Sequence, residues 1–242
     1  MSKSILIINS SFRKKNTYNV LSDAGQHLKK YGFNVEIINL FDYRVENCIG
    51  CKKCVANGEC CLKDDMNSLM KKMIESDGVI LSSPIYVGNV SGKLKTMVDR
   101  TCMWYHRPEL AGKPILFVAT TDATGLKETK KCFENIAVEW GAQMAGFIGR
   151  SARNITSPVK EAELAKFLRL LSVGKSSYKP SLLEINIFQV QKVLALKTNE
   201  RDELFWHDRG WLDKAYYYDC KMNLMKRIFS KAIFRLLYKV MN

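Results

Sequence analysis

The chain has 242 residues and a formal net charge of +14, and 47% of its residues are hydrophobic against 26% charged. This composition excludes a disordered chain, and because the basic excess comes without a helix-turn-helix, zinc-finger or RRM signature, we expect no nucleic-acid partner. No apolar run could span a bilayer and a strand-like segment begins at once, so we expect no export signal and a cytoplasmic location.

The first predicted strand, residues 4–9, is a continuous apolar run, typical of a strand that is buried on both faces of a parallel sheet. Residues 10–17 follow it and carry hydroxyl, amide and arginine side chains before a helical pattern begins. Backbone N–H groups at a helix N-terminus attract anions, so this loop is a candidate phosphate site. It lacks the glycine patterns of nucleotide triphosphatases and Rossmann proteins. The alternative is that its polar side chains only cap the helix.

A cysteine-rich loop, residues 41–63, follows the second predicted strand at 34–40. Its thiols are Cys48, Cys51, Cys54, Cys60 and Cys61. The first three are separated by two residues each, as at the start of the bacterial ferredoxin run, and four such thiolates can hold an iron–sulfur cluster. Zinc also accepts four thiolates, although its sites usually come as two separated pairs. The remaining alternative is a cysteine-rich loop that binds nothing.

The third predicted strand, residues 78–83, runs into the loop 84–92. Its Pro84 fixes the exit from the strand, Gly88 allows a flat ligand to approach the backbone, and Tyr86 offers an aromatic face. The next helix buries an apolar face, which places Arg100 on its polar side. A fourth strand at 113–119 opens onto the polar loop 120–125.

A fifth strand at 143–148 and a helix starting at Ser157 complete the alternation of strands and helices. The pattern predicts an α/β fold, a flavodoxin-like, doubly wound, five-stranded parallel sheet of order 2-1-3-4-5. In that order ligands bind at the carboxyl ends of strands one and three. The loops after strands one, three and four therefore meet at one edge, where FMN would bind. We predict a flavodoxin-like domain over residues 1–174 and a mostly helical C-terminal extension over 175–242.

Three motifs carry a resemblance to a known family over residues 3–172. They are N-S-S-F-R-K-K-N-T, then C-x2-C-x2-C-x5-C followed by L-K-D-D-M, and S-S-P-I-Y-V-G-N-V-S-G-K-L-K-T-M-V-D-R. With them the chain resembles the NAD(P)H-dependent FMN reductase superfamily, and most closely its iron–sulfur flavoprotein branch. The first loop departs from the usual family sequence, N-G-S-P-R, at Ser10 and Phe12.

The resemblance implies an FMN-dependent oxidoreductase that takes electrons from NAD(P)H or another donor. It implies a phosphate site at Ser11, Arg13, Asn16 and Thr17. It implies that the isoalloxazine lies against Pro84, Ile85, Tyr86, Val87, Gly88 and Asn89, with Thr120, Thr121, Asp122 and Gly125 on the other side of the ring. It implies a [4Fe-4S] cluster on Cys48, Cys51, Cys54 and Cys60, with Cys61 as an extra thiol.

Two other function classes stay open at this point. One is an electron carrier that acts only between protein partners, and the other is a flavodoxin-like binding module without a cofactor. No catalytic side chain is assigned, because hydride transfer to a flavin needs no acid or base from the protein. We expect a homodimer or higher homo-oligomer, since an FMN site at an exposed sheet edge is often covered by a neighbouring subunit.

The C-terminal extension combines an aromatic segment, residues 204–218, with a basic final helix predicted over 221–242. One face of this helix is apolar, with Met225, Ile228, Phe229, Ala232, Leu236 and Val240. A second face is basic, with Arg227, Lys231, Arg235 and Lys239. The plainer interpretation is a helix docked on the domain or on another subunit, and the alternative is contact with an anionic membrane surface.

Overall fold

A parallel sheet forms the centre of the structure, a computed structural model that describes residues 2–241. Met1 and Asn242, the outer ends of the two predicted domains, lie outside the described residues. The strands are β1 Ser4–Asn9, β2 Asn34–Asn39, β3 Gly78–Tyr86, β4 Asn89–Val90, β5 Pro114–Thr120 and β6 Gln143–Arg150. The five long strands are parallel in the order β2-β1-β3-β5-β6, and β4 pairs antiparallel with the end of β3.

Helices cover both faces of the sheet because its central strands are apolar on both sides. The helices are α1 Asn16–Lys30, α2 Lys53–Asn57, α3 Met66–Glu75, α4 Gly92–Asp99, α5 Leu126–Glu139, α6 Glu161–Val173, α7 Leu182–Thr198, α8 Glu200–Asp208 and α9 Leu224–Val240. One core cluster packs α1 and α6 on one face of the sheet, and another packs α3, α4 and α5 on the other face.

The predicted fold class and sheet order are confirmed, apart from the additional short strand β4. Several predicted boundaries are shifted by one to four residues, and two of these shifts have a structural cause. Strand β3 runs to Tyr86 rather than Ser83 because its end pairs with β4. Helix α6 begins at Glu161 rather than Ser157, since the backbone N–H of Val159 donates to Asp23 at 2.6 Å and holds the preceding residues outside the helix.

The C-terminal extension is helical, as predicted, and contains its own aromatic cluster. Phe188 of α7 packs there with Trp206, Trp211, Tyr216 and Tyr217, all of them buried. The extension is also tied to the sheet unit, because the side-chain amide of Gln191 donates to the backbone oxygen of Glu139 at 2.8 Å. The boundary at residue 174 stays a prediction.

The predicted apolar face of α9 packs on the body of the protein at Phe229. The helix also turns Ile233, Phe234 and Leu237 towards the body, and these side chains are only half-buried. Most of the predicted face is exposed, including Met225, Ile228, Leu236 and Val240. Across residues 2–241, no helix combines the length and apolar character needed to cross a membrane.

Candidate functional site

The loops after β1, β3 and β5 meet at the carboxyl edge of the sheet around a cavity of about 180 Å³. The predicted site residues that line it are Ser11, Arg13, Asn16, Thr17, Pro84, Ile85, Tyr86, Thr120, Thr121 and Asp122. Sequence reasoning missed two further lining residues, Lys15 and Ile155. Lys15 could have been found, because it lies between two predicted residues of the same loop. Nothing in the local sequence marks Ile155.

The N-terminus of α1 opens onto this cavity with its backbone donors free of side-chain caps. Its N-cap residue, Lys15, makes no capping hydrogen bond, and the first turn contains no acidic residue. Arg13 and Lys15 are both exposed beside it. Uncapped N–H groups with two cations nearby are the donor set that a phosphate prefers.

Hydroxyl groups that could have capped α1 instead join the loops to one another. Thr17 Oγ1 lies 2.6 Å from Thr120 Oγ1, which ties α1 to the end of β5. Ser10 Oγ donates to the backbone oxygen of Ser82 at 2.7 Å and lies 3.1 Å from Ser91 Oγ. These groups are buried, so the hydrogen bonds hold the three loops in fixed relative positions.

The turn between β3 and β4 forms the other end of the site. Val87 and Gly88 both have positive φ, at 50° and 75°, and Val87 is fully exposed. A β-branched residue rarely takes this conformation, so the turn is strained. Gly125 packs on it, because a Cβ at Gly125 would lie 2.9 Å from Gly88 Cα.

Four predicted residues do not line the cavity: Val87, Gly88, Asn89 and Gly125. They form or support the turn beside it, next to the half-exposed ring of Tyr86. A polar cavity for an anion, bordered by bare backbone and an aromatic side chain, fits a phosphate joined to a flat ring. The cavity itself is smaller than the 300–1,000 Å³ usual for whole-ligand sites, so a ring would lie over the turn.

The cysteine loop holds its thiols mainly in pairs. Cys51 Sγ lies 3.4 Å from Cys61 Sγ, and Cys54 Sγ lies 3.5 Å from Cys102 Sγ. Burial of the Cys102 thiol raises its pKa to about 12, and the hydrogen bond with Cys54 is the second cause of the increase. All of these cysteines are free. The thiols suit an iron–sulfur centre in kind. Cys102 also contacts Cys48, yet within residues 2–241 no three His, Cys, Asp or Glu side chains are arranged to hold a metal ion.

Arg100 holds the end of the cysteine loop. It is 2% exposed, contrary to its predicted place on the polar side of α4, because it forms a buried two-point ion pair with Asp64. Its Nη1 also donates to the backbone oxygen of Glu46 at 2.9 Å, and Nη2 lies 3.4 Å from Cys60 Sγ. Its Nε is buried and has no hydrogen-bond acceptor among the described residues. Burial opposes the charge of Asp64, but the hydrogen bonds from Arg100 and two backbone N–H groups lower the pKa of this carboxyl to about 2.

Arg107 holds the short helix α2 of the same loop. Its guanidinium donates to the backbone oxygens of Cys54, at 2.6 Å, and Val55, at 3.1 Å. It also pairs with Asp202 of α8, which is completely buried and accepts from His106 Nδ1 at 3.1 Å. Sequence reasoning missed Arg100, Arg107 and Cys102 as neighbours of the loop, since each lies tens of residues beyond it without characteristic spacing.

The cysteine loop begins beside the cavity loops. Phe41 packs edge-on against Phe12 of the first loop, with ring centroids 5.2 Å apart. On the other side, Thr96 of α4 donates to Asn47 at 3.0 Å. The loop therefore lies between α4 and the phosphate side of the cavity.

A larger cavity of about 690 Å³ lies elsewhere, between α5, α6 and the start of α7. Its lining includes Tyr178, whose hydroxyl donates to Glu184 at 2.6 Å. It contains no residue of the three loops, so the smaller cavity at the sheet edge, where those loops meet, is the better candidate site.

Known proteins share both the sequence and the fold. The family model for NADPH-dependent FMN reductases matches residues 3–148. An iron-sulfur flavoprotein of Archaeoglobus fulgidus is 30% identical over 221 residues, which cover 87% of this chain and 100% of that protein. An iron-sulfur flavoprotein of Methanocaldococcus jannaschii is 41% identical over 86 residues, or 36% of this chain and 45% of that protein.

Two solved structures resemble the chain in fold alone. RosB with bound 8-demethyl-8-formylriboflavin-5'-phosphate has a TM-score of 0.54 at 14% identity, with 92% of each chain covered. The apo form of an NADH:FMN oxidoreductase has a TM-score of 0.52 at 16% identity and covers 88% of this chain and 100% of its own.

Proposed function

Since this chain belongs to the NADPH-dependent FMN reductase family and is an FMN oxidoreductase, we propose that it moves electrons from a reduced nicotinamide through FMN to a [4Fe-4S] cluster on its cysteine loop. The observation that carries the proposal is the convergence of three loops on one cavity beside that loop. The electron acceptor beyond the cluster is a further redox partner. The cytoplasm, where thiols stay reduced, is the compartment that suits this chemistry.

The phosphate of FMN would bind at the N-terminus of α1. There the backbone N–H groups, Ser11, Asn16 and Thr17 supply donors, and Arg13 and Lys15 supply charge. Charge-assisted hydrogen bonds of this kind are about twice as strong as neutral ones. Thr120, Thr121 and Asp122 line the same cavity and would lie on the other side of the flavin ring.

The turn between β3 and β4 would hold the flavin ring. A Cβ placed on Gly88 would meet no atom within 4 Å, and Gly125 packs directly on the Gly88 backbone, so a flat ring can approach the turn closely. Tyr86 lies at its side with its ring half-exposed. When bound, FMN accepts a hydride at N5 and releases electrons one at a time. The chain's own part is to bind the phosphate, orient the ring and keep the loops rigid.

Cys48, Cys51, Cys54 and Cys60 would hold the cluster, which stores single electrons. The buried, unpaired Nε of Arg100 and its Nη2 near Cys60 favour a negatively charged centre at this place. Cys61 contacts Cys51, and Cys102 contacts both Cys54 and Cys48; neither Cys61 nor Cys102 is assigned a ligand role. A homo-oligomer would cover the exposed side of the flavin turn.

Binding of phosphate can be tested separately from binding of the ring. We expect Arg13→Gln to weaken the affinity for FMN about tenfold and to leave the affinity for riboflavin unchanged, because riboflavin lacks the phosphate. Quenching of flavin fluorescence measures both. Lys14→Gln is the control, since Lys14 has the same charge and exposure but does not line the cavity. Equal losses for both flavins, or none, would contradict the assigned site.

The cluster assignment has a matched pair of variants in the neighbouring cysteines. We expect Cys60→Ser to lose iron and acid-labile sulfide after anaerobic reconstitution, and Cys61→Ser to retain them, with the flavin absorption unchanged in both. Iron retained in Cys60→Ser and lost in Cys61→Ser would reassign the fourth ligand. If the reconstituted parent protein contains no iron, the cluster proposal is refuted, whereas the proposed flavin site is unaffected.

Oxidation of NADPH by the FMN-loaded protein with a small artificial acceptor distinguishes an enzyme that uses nicotinamide from a carrier between proteins. We expect turnover well above that of free FMN at the same concentration. A rate no higher than that of free FMN would favour a different electron donor.

A further inference from the structure

The last helix, α9, is attached to the protein along one side. Its buried Ser230 accepts a hydrogen bond from the side-chain amide of Gln189 of α7 at 2.8 Å, and the ammonium group of Lys192 lies 4.7 Å from the ring centre of Phe234. Phe229 joins the aromatic cluster of the extension. These contacts fix the helix and leave its opposite side towards solvent.

An apolar row runs along the exposed side. It consists of every fourth residue, namely Leu224, Ile228, Ala232, Leu236 and Val240. The four large members of this apolar row are between 53% and 72% exposed, and the neighbouring Met225 is 72% exposed. Single exposed apolar residues are ordinary, but a continuous row along a whole helix marks an interaction surface.

A basic row lies beside the apolar row, one residue earlier at every turn. Its members are Arg227, Lys231, Arg235 and Lys239, all exposed, and α9 contains no acidic residue. None of the four forms an ion pair with any residue in the described range 2–241. The nearby carboxylate of Asp219 pairs with Lys214 instead, at 3.6 Å. One residue corresponds to about 100° around a helix, so the two rows occupy adjoining strips of one exposed surface.

We propose that α9 lies in the plane of an anionic membrane surface, with the apolar row in the acyl boundary and the basic row on lipid phosphates. The helix has 17 residues, hence a length of about 26 Å, which allows several lipids to be contacted at once. Apolar burial and attraction to anionic headgroups act together on such a helix. Docking of this kind does not depend on the proposed redox function.

Charge decides between a membrane and a second copy of the chain. A two-fold contact pairs the same surface patch on both subunits, so one through α9 would bring two basic rows, from chains with a net charge of +14 each, into one interface. Anionic lipid presents the opposite charge to the same row. The observations therefore favour lipid.

Sedimentation of the full-length protein with vesicles tests the proposal. We expect binding to phosphatidylcholine vesicles containing phosphatidylserine, no binding to phosphatidylcholine alone, and a decline with added salt. Replacing two members of the basic row, Lys231→Gln with Arg235→Gln, should weaken binding about thirtyfold at low salt. Leu236→Gln should weaken it about tenfold by removing one buried side chain from the acyl boundary.

The chain offers a matched control for each variant. Lys29→Gln with Lys30→Gln changes the net charge equally on an exposed part of α1, and Val173→Gln replaces an apolar residue that is 58% exposed, as is Leu236. We expect both controls to bind like the parent protein. The proposal is overturned if binding does not depend on phosphatidylserine, or if the controls and the α9 variants lose vesicle binding equally. A different result would assign the apolar row to a second copy of the chain. In that case the parent protein binds no vesicles, light scattering shows it to be an oligomer, and Leu236→Gln dissociates this oligomer.

Discussion

The backbone contact between Gly88 and Gly125 joins two loops of the candidate flavin site. Gly125 has φ of 97°, and a Cβ there would lie 2.9 Å from both Gly88 Cα and Ile85 Cγ2. Gly88 also has positive φ, but a Cβ on it would meet no atom within 4 Å. The two glycines therefore separate the effect of backbone strain from the effect of contact between the loops.

We predict that Gly125→Ala weakens FMN binding at least tenfold and lowers the free energy of unfolding by about 2–3 kcal/mol, because strain and a backbone clash add together. Gly88→Ala should cost only about 1 kcal/mol, the strain alone. Urea denaturation and flavin fluorescence measure the two effects. Equal destabilisation by both substitutions would show that the loop contact is unimportant.

Single residues of the site differ in how well the sequence predicts them. Ser11, Arg13, Thr120 and Asp122 follow strands whose ends meet at one edge, so topology alone brings them together. Cys102 reaches Cys54 through the tertiary fold, and no spacing rule connects residues 48 positions apart. The roles of the assigned ligands stay predictions, while the resemblance to the FMN reductase family is confirmed.

At the level of elements, the ion pair between Asp64 and Arg100 fastens the loop before α3 to the end of α4. Both side chains are 1% exposed. The pKa of Asp64 lies at about 2, below the ordinary value of an aspartate. A lowered carboxyl pKa contributes stability that is complete above the unfolded pKa and is lost as the pH falls through the folded one.

We predict that the free energy of unfolding declines by about 2 kcal/mol between about pH 5 and pH 2 on account of Asp64. Asp64→Asn should remove this part of the decline and cost about 3 kcal/mol at neutral pH, because Arg100 is left buried without its partner. Urea denaturation across the pH range is the measurement. The control is Asp219→Asn, at a solvent-exposed site, which should leave the pH dependence of the unfolding free energy as in the parent protein. The prediction is contradicted if Asp64→Asn also has the pH dependence of the parent protein.

The elements themselves follow from the sequence to different degrees. The strands are predictable because continuous apolar runs between polar loops leave few alternatives. The side of α9 that packs on the protein cannot be predicted in this way. The helix is apolar on two sides, and hydrophobic periodicity does not show which side is buried. The side that docks is chosen by Phe188 and Gln189 of α7, which lie far away in sequence.

For the molecule as a whole, the C-terminal extension is part of the cysteine loop's support. Asp202 of α8 is completely buried and pairs with Arg107, which in turn holds the backbone of Cys54. Burial opposes ionisation, but hydrogen bonding by His106 and the charge of Arg107 lower the pKa of Asp202. The extension and the sheet unit therefore share a buried charge network.

We predict that Asp202→Asn lowers the free energy of unfolding by about 3 kcal/mol, because the buried guanidinium of Arg107 loses its counter-charge. Asp208→Asn, on the same helix but exposed, should change it by less than about 0.5 kcal/mol. Urea denaturation compares them. Equal stability of the two variants would show that the extension is fastened independently of the loop.

The same network has a consequence for the order in which the protein is made. Arg107 and Asp202 are 95 residues apart, and Cys54 precedes Arg107 by another 53. Ribosomes add about 5–20 residues per second, so Asp202 is synthesised about 5–20 s after Arg107. During this interval the cysteine loop has left the ribosome without its final support. The nascent chain thus carries its thiols in a loop that Arg107 and Asp202 do not yet hold in place.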